Sequence, residues 1–208
     1  TAGAALPKAG GELTGDTAHG DNVKDTYGTD PDMEIYHDGS NSLIKDIGTG
    51  HLILGGGVVK LMNAATSEDM LVAQENAAVK LMYDNSKKLE TTAQGITVTG
   101  TAKATTDTDT SNSGNVALNF EANQNFVLTL TGNVTLTNPS FAGASWQVGQ
   151  SGFIVFKQDG TGSRTVSLGT DYETAGGSGL TLTATASASD VVPYIIAATN
   201  RILLGTPQ

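Results

Sequence analysis

Between Asp32 and Gly100 the chain is cut into very short apolar runs by tight turns rich in Asp, Gly, Asn and Ser, beginning with DMEIYHDGSNSLIKDIGTGHLIL at residues 32–54. Ile35, Ile44, Ile53, Leu61, Leu71, Leu81, Leu89 and Ile96 recur about every seven to ten residues, one strand and one turn per step. The words recur as well: Val59-Lys60-Leu61-Met62-Asn63 returns as Val79-Lys80-Leu81-Met82-Tyr83. A narrow meander of this kind is marginal in water because its apolar face has nothing to pack against. It needs copies of itself. The expectation is an intertwined, trimeric arrangement.

The 208 residues suffice for one or two domains with a sizeable core. Charged residues make up only 15% and aromatics 5%, and the difference is filled by Gly, Thr, Ser, Ala and Asn. Thr suits a half-exposed pleated strand and Gly or Asn suits turns with positive φ, so this is the composition of a turn-rich β protein. The net charge of −10 would be tripled in a trimer, which disfavours nucleic acid as a partner. Cysteine is absent, so neither a disulfide framework nor a thiol nucleophile is available. No run of about 18 apolar residues exists to cross a membrane as a helix. The start at Thr1, without Met, reads as a fragment or a processed product.

Residues 1–31 hold few large apolar side chains, and LPKAGGELTG is the one patterned piece there; its Pro7 and Gly10-Gly11 rule out a regular helix. The alternation predicts strands at residues 33–37, 42–47, 51–54 and 58–62, and the Asp38-Gly39 step is a strong hairpin signal. For SEDMLVAQ at residues 67–74 a strand is preferred over a two-turn helix capped by Ser67. Residues 99–115 (TGTAKATTDTDTSNSGN) contain no large apolar residue, so they read as a boundary. Beyond them the strands lengthen: Val116, Leu118 and Phe120 alternate, then Phe126, Leu128 and Leu130, with Val134 and Leu136 after an expected Gly132-Asn133 turn. GFIVFKQ at residues 152–158 is apolar on both faces and reads as a central strand. About eight strands follow in all, the number and spacing of a small sandwich or jelly roll.

YHDGSNSLIKDIGTGHLIL resembles a repeat common in structural and tail-fibre proteins of tailed phages, marine and cyanophage-like ones in particular, whose usual form is IYHDGSNSYI…GTGNL. LPKAGGELTG looks like the LPKxGGTMTG element of phage tail fibres, departing from it in having Glu12-Leu13 where Thr-Met is typical. GQSGFIVFKQDGTGSRTVSLGTDY is similar to the distal domain at the C-terminal end of many such fibres. The resemblance implies a homotrimeric fibre on the virion, outside the cell, that carries the particle's contact with its host. It transfers no catalytic residue. The fold class so expected is all-β: an N-terminal extended segment (1–31), a repetitive short-stranded intertwined shaft (32–100), a linker (101–114) and a C-terminal β-sandwich or jelly-roll-like domain (115–208).

Three histidines, His19, His37 and His51, are too scattered for a metal pair, although His37 shares a side with Met33 and Ile35 and could face a threefold axis. An edge histidine in a turn is the simpler reading. Asp107-Thr108-Asp109-Thr110-Ser111 begins like a calcium loop, but Asn112 and Leu118 stand where Gly and Glu are needed, so it reads as a solvated linker. Asp159, Asp171 and Glu173 are the nearest approach to a hydrolytic carboxylate pair, and Asp159 is better explained by its Asp-Gly turn. Neither a metal nor a cofactor is expected, and no enzyme activity. Trp146, the only Trp, offers an aromatic face for a sugar ring, weighed against a partly buried plug; Tyr172 and Tyr194 are weaker versions of the same argument. Together with Glu173, Trp146 and Tyr172 form the expected receptor-contact set, on the longer connections at residues 140–150 and 169–179. The expected partners are the chain itself, other virion tail proteins and a host surface glycan or protein. The competing function is a structural spacer or particle decoration, and a glycan-cleaving spike is the third.

Overall fold

The computed structural model describes residues 14–141 and 146–208. Most of LPKAGGELTG and part of the stretch before Trp146 lie outside them. The chain separates into two compact units, Thr1–Gly100 and Thr101–Gln208. Both are all-β: among the described residues the only helical piece is one short 3-10 turn, Ala175–Gly177.

In the first unit β1 (Asp25–Tyr27), β2 (Met33–His37) and β3 (Ser42–Asp46) form an antiparallel sheet in that order. The expected Asp-Gly turn joins β2 to β3. Asp38 Oδ1 accepts from the Ser40 and Asn41 amides at 2.9 and 2.7 Å, and Gly39 takes the positive φ of 92° that the turn demands. Glu34 is buried on this sheet because Lys24 Nζ donates to it at 2.7 Å. Then β4 (Val58–Met62), β5 (Asp69–Gln74), β6 (Val79–Tyr83), β7 (Ser86–Thr92) and β8 (Gly95–Val98) form a five-stranded antiparallel meander in chain order. The strand reading for residues 67–74 therefore holds. Residues 51–54 do not form the expected strand: glycines stand on both sides of them, and no backbone partner for them is found among the described residues.

The second unit holds β9 (Thr106–Ala117), β10 (Asn125–Thr137), β11 (Ser151–Gln158), β12 (Val166–Leu168), β13 (Tyr172–Thr174), β14 (Ser189–Ala198) and β15 (Arg201–Leu204). All seven join in one mixed sheet, where two face-to-face sheets were expected. The sheet forks at β10. Along one edge of β10 runs β9, in parallel. Along the other edge β11 pairs with residues 126–130, and β12 with residues 134–136. One branch continues from β11 through β14 and β15 to β13. Residues 169–171 connect the end of β12 to the start of β13 and reach at most about 14 Å. The inward residues of this one sheet, Phe126, Leu128, Leu130, Ile154, Phe156, Val192, Tyr194, Ile196 and Ile202, fill a single core together with Phe120. Phe120 packs edge-on against Phe126 and Tyr194, with centroids 5.0 and 5.1 Å apart.

Two expectations are corrected here. Residues 106–114, expected in the linker 101–114, belong to the strand β9. Membership in a sheet needs a backbone ladder and a tolerant side chain such as Thr, not an apolar contribution to the core. Its Asp and Thr residues suit an exposed edge, where charge blocks further pairing. Where β9 bulges, the buried Asn112 replaces the ladder by donating from Nδ2 to Asp109 O and Thr129 O, both at 3.2 Å. Nor do Gly132 and Asn133 turn the chain. Phe126, Leu128, Leu130, Val134 and Leu136 keep one parity, so one strand buries them all. Gly132 falls inward where a Cβ would meet that of Ser113 at 2.9 Å, and Asn133 Oδ1 accepts from the Thr165 amide at 3.1 Å. Leu180 and Leu182 pack on the core from an irregular segment. That segment is pinned by the buried Asp190, which accepts from Thr183 N and Oγ1 at 3.0 and 2.9 Å.

Two outcomes follow from this packing. Limited proteolysis should spare residues 106–117 as long as the second unit is folded, and early cleavage there would contradict the β9–β10 pairing. Gly152→Ala should lower the melting transition of the second unit, because the new Cβ would lie 2.1 Å from Gln124 O, which is backbone and cannot step aside. Overpacking of this kind costs roughly 1–3 kcal/mol, readable by calorimetry. An unchanged melt would mean that β11 does not pass Gln124 so closely.

Candidate functional site

The first candidate surface is the meander β4–β8. The register sets Leu61 opposite Leu71, Leu71 opposite Leu81, Leu81 opposite Leu89 and Leu89 opposite Val98, one apolar row across all five strands. Directly opposed residues share a face, and so do residues two apart, which adds Val59, Ala73, Val79 and Ile96 to the same side. The other side mixes Lys60, Lys80 and Glu90 with Val58 and Val72, and Lys60 pairs with Asp69 at 2.9 Å. Within one chain the apolar side is open: Leu61 is 53% exposed, Leu81 44% and Ile96 68%. Leu52, Ile53 and Leu54, just ahead of the meander, are exposed too. The recurring Val-Lys-Leu-Met words are the sequence trace of this row, each placing a Leu on the apolar side and a Lys on the other.

The second candidate surface is on the C-terminal unit, where the expected contact residues divide. Tyr172 and Glu173 line one cleft of about 640 Å³ between β12 and β13, together with Leu168, Thr174, Ser178 and Leu180. Trp146 does not line it. Tyr172 points into the core and is only 6% exposed; its hydroxyl has no partner among the described residues, and burial pushes its pKa well above the usual phenol range. Glu173 faces outward and accepts from Arg201 Nε through both oxygens, at 2.9 and 3.1 Å. Trp146 is half-buried against Phe141, with ring centroids 4.6 Å apart, and packs on the core. Tyr194 is a core residue whose hydroxyl donates to Gln124 O at 2.7 Å; burial raises its pKa to about 12.

The remaining candidates stand apart. His37 Nδ1 lies 3.3 Å from Ser42 Oγ beside the Asp38 turn, and His19 lies 3.8 Å from Asp25. Asp107 and Asp109 lie on β9 and not in a loop. Among the described residues no three His, Asp or Glu side chains gather as a metal site. Asp159 serves its turn: Oδ1 accepts from the Thr161 and Gly162 amides, both at 3.0 Å, and Arg164 Nη2 reaches Oδ2 at 2.7 Å. The buried Gln158 clamps the turn from behind, bonding Arg164 N at 2.8 Å and Arg164 O at 3.0 Å.

Residues 113–197 match the family described as "Putative phage tail fibre C-terminal domain". The kinship expected from the sequence is thereby shown over most of the second unit, from the latter part of β9 into β14. Tail fibres are structural proteins of the virion, so the match gives residues 113–197 the kinship of a virion protein domain. No curated protein and no solved structure matches the chain.

The Asp159–Arg164 pair carries a pH prediction. The Arg164 guanidinium first, and then the turn amides, hold the Asp159 carboxyl at about 2, below its ordinary 3.8. A depressed folded-state pKa contributes stability that is fully present above pH 3.8 and lost as the pH falls towards 2. Acid melts of Asp159→Asn should therefore show a shallower loss of stability across that window than the parent chain. Identical slopes would mean that the pair does not shape the turn.

Proposed function

We propose that the chain is a subunit of a homotrimeric tail fibre, assembled through the apolar side of β4–β8 and touching the host cell surface with its C-terminal unit. The family match over residues 113–197 carries this reading. The open leucine row supports the assembly part, because each Leu covered by a neighbouring copy contributes roughly 1.5–3 kcal/mol, and does so once per chain. Closed cyclic symmetry covers the row without leaving an open end. The exposed rim of the C-terminal unit supports the contact part. Glu173 and Thr174 on β13 and Ser178 after it line a polar cleft, Arg201 on β15 pairs with Glu173, and half of Trp146 is open elsewhere, a set suited to the hydroxyls and apolar face of a sugar. Contacts this weak are multiplied across copies.

The burial of Tyr172 and the stacking of Trp146 on Phe141 favour a second reading, in which the C-terminal unit is a structural spacer or cap. Binding of the chain to an array of host-type glycans separates the two. Retention on at least one glycan, reduced by Glu173→Ala and Trp146→Ala with the melt preserved, supports host contact. No retention on the array or on host cells supports the spacer, and release of reducing sugar would make the chain a glycan-cleaving spike instead. For assembly, Leu81→Asp should dissociate the oligomer while the melt of the second unit, with its own core, stays within a degree or so of the parent. An oligomer that tolerates Leu81→Asp would show that this row faces solvent.

A further inference from the structure

The outward side of β11, β14 and β15 has a composition that the fold of one chain does not explain. Phe153 stands opposite Pro193, Val155 opposite Val191, and Ile195 opposite Leu203 across three neighbouring strands. These six form one patch, with Phe153 52% and Ile195 42% exposed. The inward residues of the same strands, Ile154, Phe156, Val192, Tyr194, Ile196 and Ile202, already fill the core. A central strand that is apolar on both faces needs cover on both, and here one cover is present. Hollows of about 400 and 350 Å³ flank Pro193 on this side.

We infer that this patch is a second contact between copies of the chain, so that the C-terminal units pair with one another in addition to the meanders. Charge points to a like copy. The chain carries 21 acidic residues and a net charge of −10, so most of its surface repels a copy of itself. The outward positions of β11 and β14 hold no carboxylate, and Lys157 at the end of β11 is their one charge; the carboxylate beside the patch, Glu173 opposite Leu203, is already neutralised by Arg201. This is a face on which two acidic chains can meet without opposing carboxylates. Size decides what sort of contact it is. Stable interfaces between free proteins take about 20–30 residues a side, and this patch offers far fewer. Free C-terminal units would therefore separate. Copies already joined elsewhere meet at an effective concentration in roughly the millimolar range, where a small patch suffices. The inference rests on the assembly proposed above.

The chain has no cysteine, so a single Ile195→Cys carries one nitroxide label at a known place. In the assembled full-length chain the label should be immobilised and dipolar-coupled to labels on other copies. Dilution with unlabelled chain should remove the coupling, and adding Phe153→Glu should free the label. Thr170→Cys, outside the patch, serves as the reference and should stay mobile. If the chain assembles but the label at position 195 is mobile and uncoupled, the patch is open to another occupant; the inference falls while the assembly reading stands. If the chain is monomeric, both fall.

Discussion

A β-sheet with one apolar face must have that face covered, and the two units meet this demand in different ways. The C-terminal unit covers its own. Because β11 and β12 follow one another along the same edge of β10, the sheet forks, and the branches close over Phe126, Leu130, Phe156 and Ile196. The N-terminal unit has no such fork. Its meander runs β4 to β8 in plain order, each strand beside the last, so among the described residues no strand returns to cover the leucines. The C-terminal unit thus fills a core of its own, while the leucine row of the N-terminal meander is open within one chain.

That contrast was partly legible in the sequence. The step of one strand and one turn, and the repeated Val-Lys-Leu-Met words, led directly to the meander and its apolar row. Asp38-Gly39 and Asp159-Gly160 were read correctly as turns because the chemistry is local: one carboxylate caps two amides within a few residues. What misled was the use of apolar content as the test for a strand. Residues 106–117 have almost none, and they are a strand because β10 supplies the ladder, a partner that local sequence does not announce. Gly132-Asn133 carries a turn signature, yet the parity of the flanking leucines was the better guide. The forked topology depends on which edges β11 and β12 find, and that is a long-range choice.

The contact residues were legible to a lesser degree. Alternation alone could have placed Tyr172 inward and Glu173 outward, since neighbours on a strand face opposite sides. The expected set of Trp146, Tyr172 and Glu173 is at odds with that period. The partner of Glu173, Arg201, lies on β15 and is brought beside it by the parallel β13–β15 pairing, which the sequence does not reveal. The both-sided apolarity of GFIVFKQ marks β11 as central and also implies an apolar outer face. The family match over residues 113–197 and the all-β geometry agree on the kind of molecule, a β protein with kinship to phage tail fibres over its second unit.

The central claim is that the open leucine row makes the chain associate with itself. Multi-angle light scattering on the purified full-length chain, read across a dilution series, tests it most directly. The account predicts a constant mass of three times 21.3 kDa. A folded particle of 21.3 kDa at every concentration would contradict it.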